Sequence, residues 1–238
     1  MKTFKKLSVV IPVFNEEDTI DELIQKVKGV SLPNLEKEII VVDDGSRDDT
    51  PQVLKKIEGI RYFMHEKNKG KGAALKTGIG HSCGDIILLQ DADLEYDPQD
   101  YHVLLKPILD GEVEFVMGSR FISQKRRFFS ENGDPFFSHY LGNLMIVGLT
   151  NLLYGQNKTD YEGGYKVFTK ALISSIAVKT EGFAFDNELV CKTLRRGYKI
   201  AEVPIRYQPR LYSQGKKITS RDGAVMLWTI LKWRILPF

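Results

Sequence analysis

Residues 85–98 read Asp-Ile-Ile-Leu-Leu-Gln-Asp-Ala-Asp-Leu-Glu-Tyr-Asp-Pro, an apolar run that ends abruptly in Asp91, Asp93 and Glu95. The run Asp85–Leu89 has the composition of a buried strand. Carboxylates one residue apart at the carboxyl end of a strand form a compact set of hard oxygen donors, which repel one another unless a cation or protons intervene. Mg²⁺ or Mn²⁺, held by one or two carboxylates and completed by substrate phosphates, suits such a set. An isolated Asp-x-Asp is common on solvated surfaces; what raises this one is that other strands end in the same way.

Glu38-Ile39-Ile40-Val41-Val42 is a continuous apolar run followed by Asp43-Asp44-Gly45-Ser46, and it reads as a strand buried on both faces of a parallel sheet. Thr50-Pro51 supplies an N-cap and a first helical residue for a helix over Gln52–Glu58. A third strand, Leu7–Val13, runs into Phe14-Asn15-Glu16-Glu17, and an amphipathic helix follows from Asp18 or Thr19 to Lys28, with Ile20, Leu23, Ile24 and Val27 on one stripe. Strands alternating with helices imply an open, mostly parallel sheet with right-handed crossovers, in which ligands bind outside the carboxyl ends of the strands. Asn15/Glu16, Asp43/Asp44 and Asp91/Asp93 then meet at one edge.

The chain has 238 residues, 42% hydrophobic and 27% charged, enough for one large α/β domain. Its net charge of +3 gives no support for a nucleic-acid partner. Cys83 and Cys191 are too few for a disulfide framework and read as buried core, which favours a reducing, cytoplasmic setting. His65, His81, His102 and His139 lack zinc-ligand spacing, and the glycines at 70–80 do not form a dinucleotide fingerprint. No signal peptide is recognisable, and no run of about 18 apolar residues spans a bilayer. The nearly uncharged stretch 140–154 is too short and too polar to cross one, and reads as a buried or interfacial helix. The terminal stretch 224–238 mixes Trp228, Trp233, Lys232 and Arg234 with aliphatic residues. Two uses fit such a helix: lying in a headgroup layer, or docking on the core or a second subunit.

The α/β alternation fills residues 1–120 and closes with a strand in Val113–Phe121. Residues 122–139 form an aperiodic loop with three cations and four phenylalanines, and a turn follows at Asp160–Lys166. A helix over Asp186–Arg196, a strand over Ala201–Tyr207 and a basic segment at 210–217 precede the terminal helix.

Seven segments in order, VVIPVFNEE (9–17), VVDDGSRDDT (41–50), NKGKGAALKTG (68–78), DADLEYDP (91–98), GSRF (118–121), GFAFDNEL (182–189) and RLYSQGKK (210–217), make the chain resemble a family 2 glycosyltransferase. Within that family it resembles the polyprenyl-phosphate sugar transferases, such as dolichyl-phosphate mannose and glucose synthases. The resemblance implies a GT-A fold, with a Rossmann-like, mostly parallel sheet flanked by helices and a helical and loop extension on the acceptor side. It implies a single domain over 1–238, divided into a nucleotide-sugar-binding half at 1–120 and an acceptor-side half at 121–238. It further implies inverting, metal-dependent transfer from a GDP-mannose or UDP-glucose type of donor to a polyprenyl phosphate, at the cytoplasmic face of a membrane, with oligomers left open.

Residue by residue, the resemblance implies that Pro12, Phe14, Glu16, Asp43, Asp44, Lys71, Asp91 and Ala92 contact the donor. Asp91 and Asp93 correspond to the metal-binding Asp-x-Asp; Glu95, a third candidate ligand, stands where mannosyl transferases often carry Gln. Arg120, with Arg126 or Arg127, corresponds to cations that meet the lipid phosphate, and Arg210 and Lys216 to a basic loop over the diphosphate. A lipid phosphate is already anionic and needs cations more than a base, whereas a saccharide hydroxyl needs a base, for which Asp186 is the candidate. That alternative, a soluble enzyme acting on a saccharide or glycan, remains open. A nucleotidyltransferase would carry a glycine-rich basic loop after the first strand, where this chain has Val13–Glu17.

Overall fold

The computed structural model describes residues 3–122, 137–209 and 220–238. Its elements run β1 (Lys6–Val13), α1 (Ile20–Gly29), β2 (Glu36–Asp43), α2 (Thr50–Leu54), β3 (Arg61–Met64), α3 (Lys71–His81), β4 (Ile86–Leu89), α4 (Tyr101–Leu109), β5 (Phe115–Ser119), α5 (Phe137–Tyr154), β6 (Lys166–Thr169), α6 (Lys170–Ser174), α7 (Phe185–Arg195), β7 (Ile200–Pro204) and α8 (Ser220–Ile235). The strands form one seven-stranded sheet in the order β3-β2-β1-β4-β6-β5-β7. The expected mostly parallel sheet is present, with β6 antiparallel to both of its neighbours.

Alternation along β1 divides the core. Leu7, Val9, Ile11 and Val13 face a cluster that includes α1 and α4, while Val10 faces one that includes α3, α5, α7 and α8. The chain leaves β1 for β2 on one side and reaches β4 on the other, so the crossover direction reverses at β1. Val13 pairs with Asp43, and Val10 with Leu89, which places the loops after β1, β2 and β4 at one edge. Because β6 runs the other way, its first residue, Lys166, pairs with Leu89 at that same edge.

Several local expectations change. α2 ends at Leu54, and Asp49 rather than Thr50 precedes it, because Thr50 Oγ1 accepts the Glu16 amide at 2.9 Å. β3 and β6, four residues each, carry too little pattern to stand out in the sequence. Cys191 is buried as expected, but Cys83 is exposed, because it lies in the turn between α3 and β4. Among the described residues no helix is long and apolar enough to cross a membrane. α8 is docked on one face only. Met226, Ile230 and Trp233 are buried, while Trp228 is 63% exposed. Lys192 of α7 lies 3.7 Å from the Trp233 ring centroid, Arg195 Nη1 donates to the Trp233 carbonyl, and Tyr154 of α5 donates to the Ile230 carbonyl.

At Gly78, α3 lies so close to the sheet that a Cβ would meet Val10 Cγ1 at 2.4 Å. Gly78→Val should therefore lower unfolding stability by roughly 1–3 kcal/mol through overpacking, despite the better helix propensity of valine. Urea titration of the two proteins checks this.

Candidate active site

The loops at the carboxyl edge are tied to one another before any ligand arrives. Asn15, at φ +51°, donates its amide to Ser46 Oγ and accepts the Arg47 amide on its side chain. Thr19 Oγ1 donates to Glu16 Oε2 and to the Ala92 carbonyl, joining the first loop to the Asp91–Asp93 turn. Pro12 and Phe14 are half-buried beside these loops. Asp43 accepts the Ser46 amide and the Tyr62 hydroxyl. Asp44 accepts the amides of Lys69 and Gly70 and contacts His65 Nδ1 at 2.7 Å, while His65 Nε2 meets Thr77 Oγ1. Asp44 thus shapes the turn that starts α3 and delivers Lys71, while Asp43 closes its own loop against β3.

Lys71 Nζ lies 2.5 Å from Asp91 Oδ1. Burial works against the ammonium, but Asp91, Asp186 and Asp93 together hold its pKa above the usual lysine value. Asp93 Oδ1 accepts the Glu95 amide across Leu94, whose φ is +60°. Glu95 itself interacts with Tyr207. As a result Asp91, Asp93 and Glu95 do not converge, and among the described residues no group of three His, Cys, Asp or Glu side chains closes round a metal ion. The donor chemistry of Asp91 and Asp93 fits Mg²⁺ or Mn²⁺ completed by substrate phosphate and water. The Lys71 ammonium marks where this edge accepts positive charge.

The turn before β6 forms the facing wall. Gly164 sits so near Asp91 that a Cβ there would meet Asp91 Oδ2 at 2.3 Å, and its amide donates to the Tyr96 hydroxyl. Arg120 forms a two-point fork with Asp160, Nε to Oδ2 at 2.7 Å and Nη2 to Oδ1 at 2.9 Å, and its guanidinium lies over the rings of Phe121 and Tyr207. The expected acceptor arginine is therefore committed in large part to a fully buried carboxylate. Asp186, in the first turn of α7, has Oδ2 3.8 Å from Lys166 Nζ, and Lys166 also donates to the carbonyls of Tyr161 and Gly163. Asn187 Nδ2 donates to Glu162 Oε1 at 2.8 Å, and burial pushes the Glu162 carboxyl above its usual value. Asp160, Glu162, Lys166, Asn187 and His65 were not singled out in the sequence as site residues; the adjacent glycines of the 160–166 turn were the available signal. Arg126, Arg127, Arg210 and Lys216 lie outside the described residues.

Asp160 gives a stability prediction. Burial alone would raise its carboxyl pKa, and the Arg120 guanidinium more than offsets that, leaving it below the usual aspartate value. A depressed native pKa adds stability that is complete above the unfolded value of about 3.9 and fades as pH falls through the native value. Asp160→Ala should cost about 3–5 kcal/mol at neutral pH by stranding a buried guanidinium. It should also flatten the fall in stability below about pH 4, a region that urea midpoints across pH 3–7 would map.

Residues 8–177 match the model of glycosyl transferase family 2. An uncharacterized protein of Methanocaldococcus jannaschii is 30% identical over 97% of this chain and 93% of its own length. A UDP-N-acetylglucosamine–dolichyl-phosphate N-acetylglucosaminyltransferase of Methanococcus voltae is 27% identical over 95% of each chain. Glucosyl-3-phosphoglycerate synthase of Mycobacterium tuberculosis, solved with Mn²⁺, UDP and phosphoglyceric acid, superposes with a TM-score of 0.75 at 23% identity, covering 98% of this chain and 80% of that one. Its fold is the one described above. With three loops converging on an acidic edge and a family match across most of its length, the chain belongs to glycosyltransferase family 2 and is a glycosyltransferase of GT-A fold.

Proposed function

We propose that this enzyme transfers a sugar, with inversion, from a nucleotide-diphosphate donor of the GDP-mannose or UDP-glucose type to the phosphate of a polyprenyl lipid. The observation that carries the choice of acceptor is the apolar surface left on two neighbouring helices. Leu141, Met145 and Leu152 of α5 and Val225, Trp228 and Ile235 of α8 are exposed, with Lys232 and Arg234 on the same terminal helix. Aliphatic and aromatic residues beside cations suit an anionic lipid surface. The Methanococcus relative, named for a dolichyl-phosphate acceptor, supports the same reading.

In this mechanism an acceptor phosphate oxygen attacks the anomeric carbon. The bond from that carbon to the β-phosphate oxygen breaks, and the nucleoside diphosphate leaves with the electron pair. Asp91 and Asp93 would hold a divalent cation, which would supply Lewis-acid stabilisation to the leaving diphosphate. Lys71, released from Asp91 as the diphosphate enters, adds positive charge there, together with Arg210 and Lys216. Asp43 and Asp44 shape the nucleotide loops, and Pro12, Phe14, Glu16 and Ala92 line them. Arg120, held by Asp160 and joined by Arg126 or Arg127, orients the acceptor phosphate. That phosphate is already ionised, so no base is required. A saccharide acceptor is the second reading, and one observation favours it: Asp186 Oδ1 is buried without a hydrogen-bond partner and could serve as base.

Purified protein with Mg²⁺ or Mn²⁺ is assayed against UDP- and GDP-sugars, with polyprenyl phosphate or a free saccharide as acceptor. Asp93→Ala should abolish turnover and Asp91→Ala should reduce it at least about tenfold. Full activity in EDTA would rule out the metal-dependent mechanism, and faster transfer to a saccharide than to the lipid would favour the second reading. In liposome flotation, Trp228→Ala should weaken binding to anionic vesicles with little loss of stability. Trp233→Ala should instead destabilise the fold by about 3–5 kcal/mol, because that ring is buried.

A further inference from the structure

Arg120 and the Asp91–Asp93 turn come from separate segments, yet one side chain reaches both. Tyr207 follows β7, and its backbone is fixed to the acidic turn. It forms an isolated antiparallel bridge with Tyr96, and the next residue, Gln208, donates its amide to the Glu95 carbonyl at 2.9 Å. The rings of Tyr96 and Tyr207 lie 5.4 Å apart between centroids, and Tyr96 is itself buried, its hydroxyl accepting the Gly164 amide. From this anchored backbone the Tyr207 ring lies against the Arg120 guanidinium, 5.2 Å from Cζ to centroid. Its hydroxyl meets both the Glu95 carboxylate and the Arg120 guanidinium.

The direction of these two bonds is set by the groups themselves. An ionised carboxylate only accepts, and a guanidinium only donates. The phenol therefore gives its proton to Glu95 and accepts from Arg120. The fork to Asp160 ties Arg120 to the turn before β6, and Tyr207 ties it to the turn that carries Asp91 and Asp93. Transfer with inversion needs the attacking oxygen and the leaving diphosphate in line through the anomeric carbon, so the spacing between acceptor cation and acidic turn matters. Resting on the reading of Arg120 as the residue that meets the acceptor phosphate, we propose that Tyr207 is a positioning residue: its hydroxyl holds Arg120 at a set distance from the Asp91–Glu95 turn and so presents the guanidinium to that phosphate. Tyr207 contacts no reacting atom, and its effect passes through Arg120. Phenylalanine in its place keeps the ring and the backbone bridge to Tyr96 and loses only the hydroxyl link.

Isothermal titration separates this role from a structural one. Farnesyl phosphate, a short polyprenyl phosphate, is titrated into the full chain saturated with Mn²⁺ and whichever of UDP or GDP wild type binds. The proteins are wild type, Tyr207→Phe, Arg120→Lys and the double variant; lysine keeps a cation beside buried Asp160 and so guards the fold. Tyr207→Phe should weaken farnesyl phosphate about fivefold or more, the scale of one lost hydrogen bond to a charged group. Its affinity for the nucleotide should stay within about twofold, which also reports an intact fold. Because the hydroxyl acts through the guanidinium, Tyr207→Phe should cost less than about twofold further in the Arg120→Lys background. Unchanged farnesyl phosphate affinity in Tyr207→Phe, an equal loss for the nucleotide, or the full loss repeated in the double variant would overturn the positioning role. So would Arg120→Lys binding farnesyl phosphate as tightly as wild type, since guanidinium geometry would then not matter. Failure of wild type to bind farnesyl phosphate at all would instead remove the acceptor reading of Arg120, and the role of Tyr207 with it.

Discussion

The ammonium of Lys71 against Asp91 holds together a sheet edge that would otherwise repel itself. Asp91, Asp93 and Asp186 come from two separate segments, and all of them act on this single side chain. Its position is fixed from below by Asp44, which grips the Lys69 and Gly70 amides and is braced by His65. Each loop then depends on the one before it. Thr19 joins the first to the Asp91–Asp93 turn, Thr50 joins the second to the first, and Gln90 donates to the Asp91 carbonyl while accepting the hydroxyls of Tyr101 and Tyr165. Charge balance at the edge and hydrogen-bond closure beneath it are two sides of one arrangement.

The reversed strand β6 extends that arrangement across the site. In an all-parallel sheet the segment entering β6 would lie at the far end, remote from Asp91. Running antiparallel, β6 begins at the carboxyl edge, so the Asp160–Tyr165 turn and Lys166 face the acidic centre. The same turn anchors Arg120 through Asp160, whose amide and that of Thr159 are in turn held by Glu202 of β7. The wall opposite the loops that follow β1, β2 and β4 is thus, among the described residues, an ion-paired block.

What the sequence disclosed followed from signal strength. β1, β2 and β4 are buried on both faces, and their apolar runs end in acids, so the edge with Asp43, Asp44, Asp91 and Asp93 was legible. β6 has only four residues and β3 is a half-exposed edge strand, so neither rose above the surrounding pattern. Glu95 looked equivalent to Asp91 and Asp93 in spacing, but the positive φ of Leu94 turns the chain and Tyr207 engages Glu95. Arg120 stood out as a cation, while its partner Asp160 lay 40 residues away, a separation no local pattern bridges. Trp228 and Trp233 looked alike on one helix; five residues apart, they face different surroundings, one solvent and one the α7 cations.

α7 joins two otherwise distant parts of the molecule. Its first turn carries Asp186 and Asn187 against Lys166 and Glu162, and its last turns carry Lys192 and Arg195 onto the Trp233 ring and carbonyl of α8. Eleven helical residues make a strut of about 16 Å with little longitudinal give. Thr180 and Lys179 pin it sideways through Glu188, which is also paired with Lys192 inside the core. The outer helix and the acid that faces Lys71 are thus held by opposite ends of the same short helix.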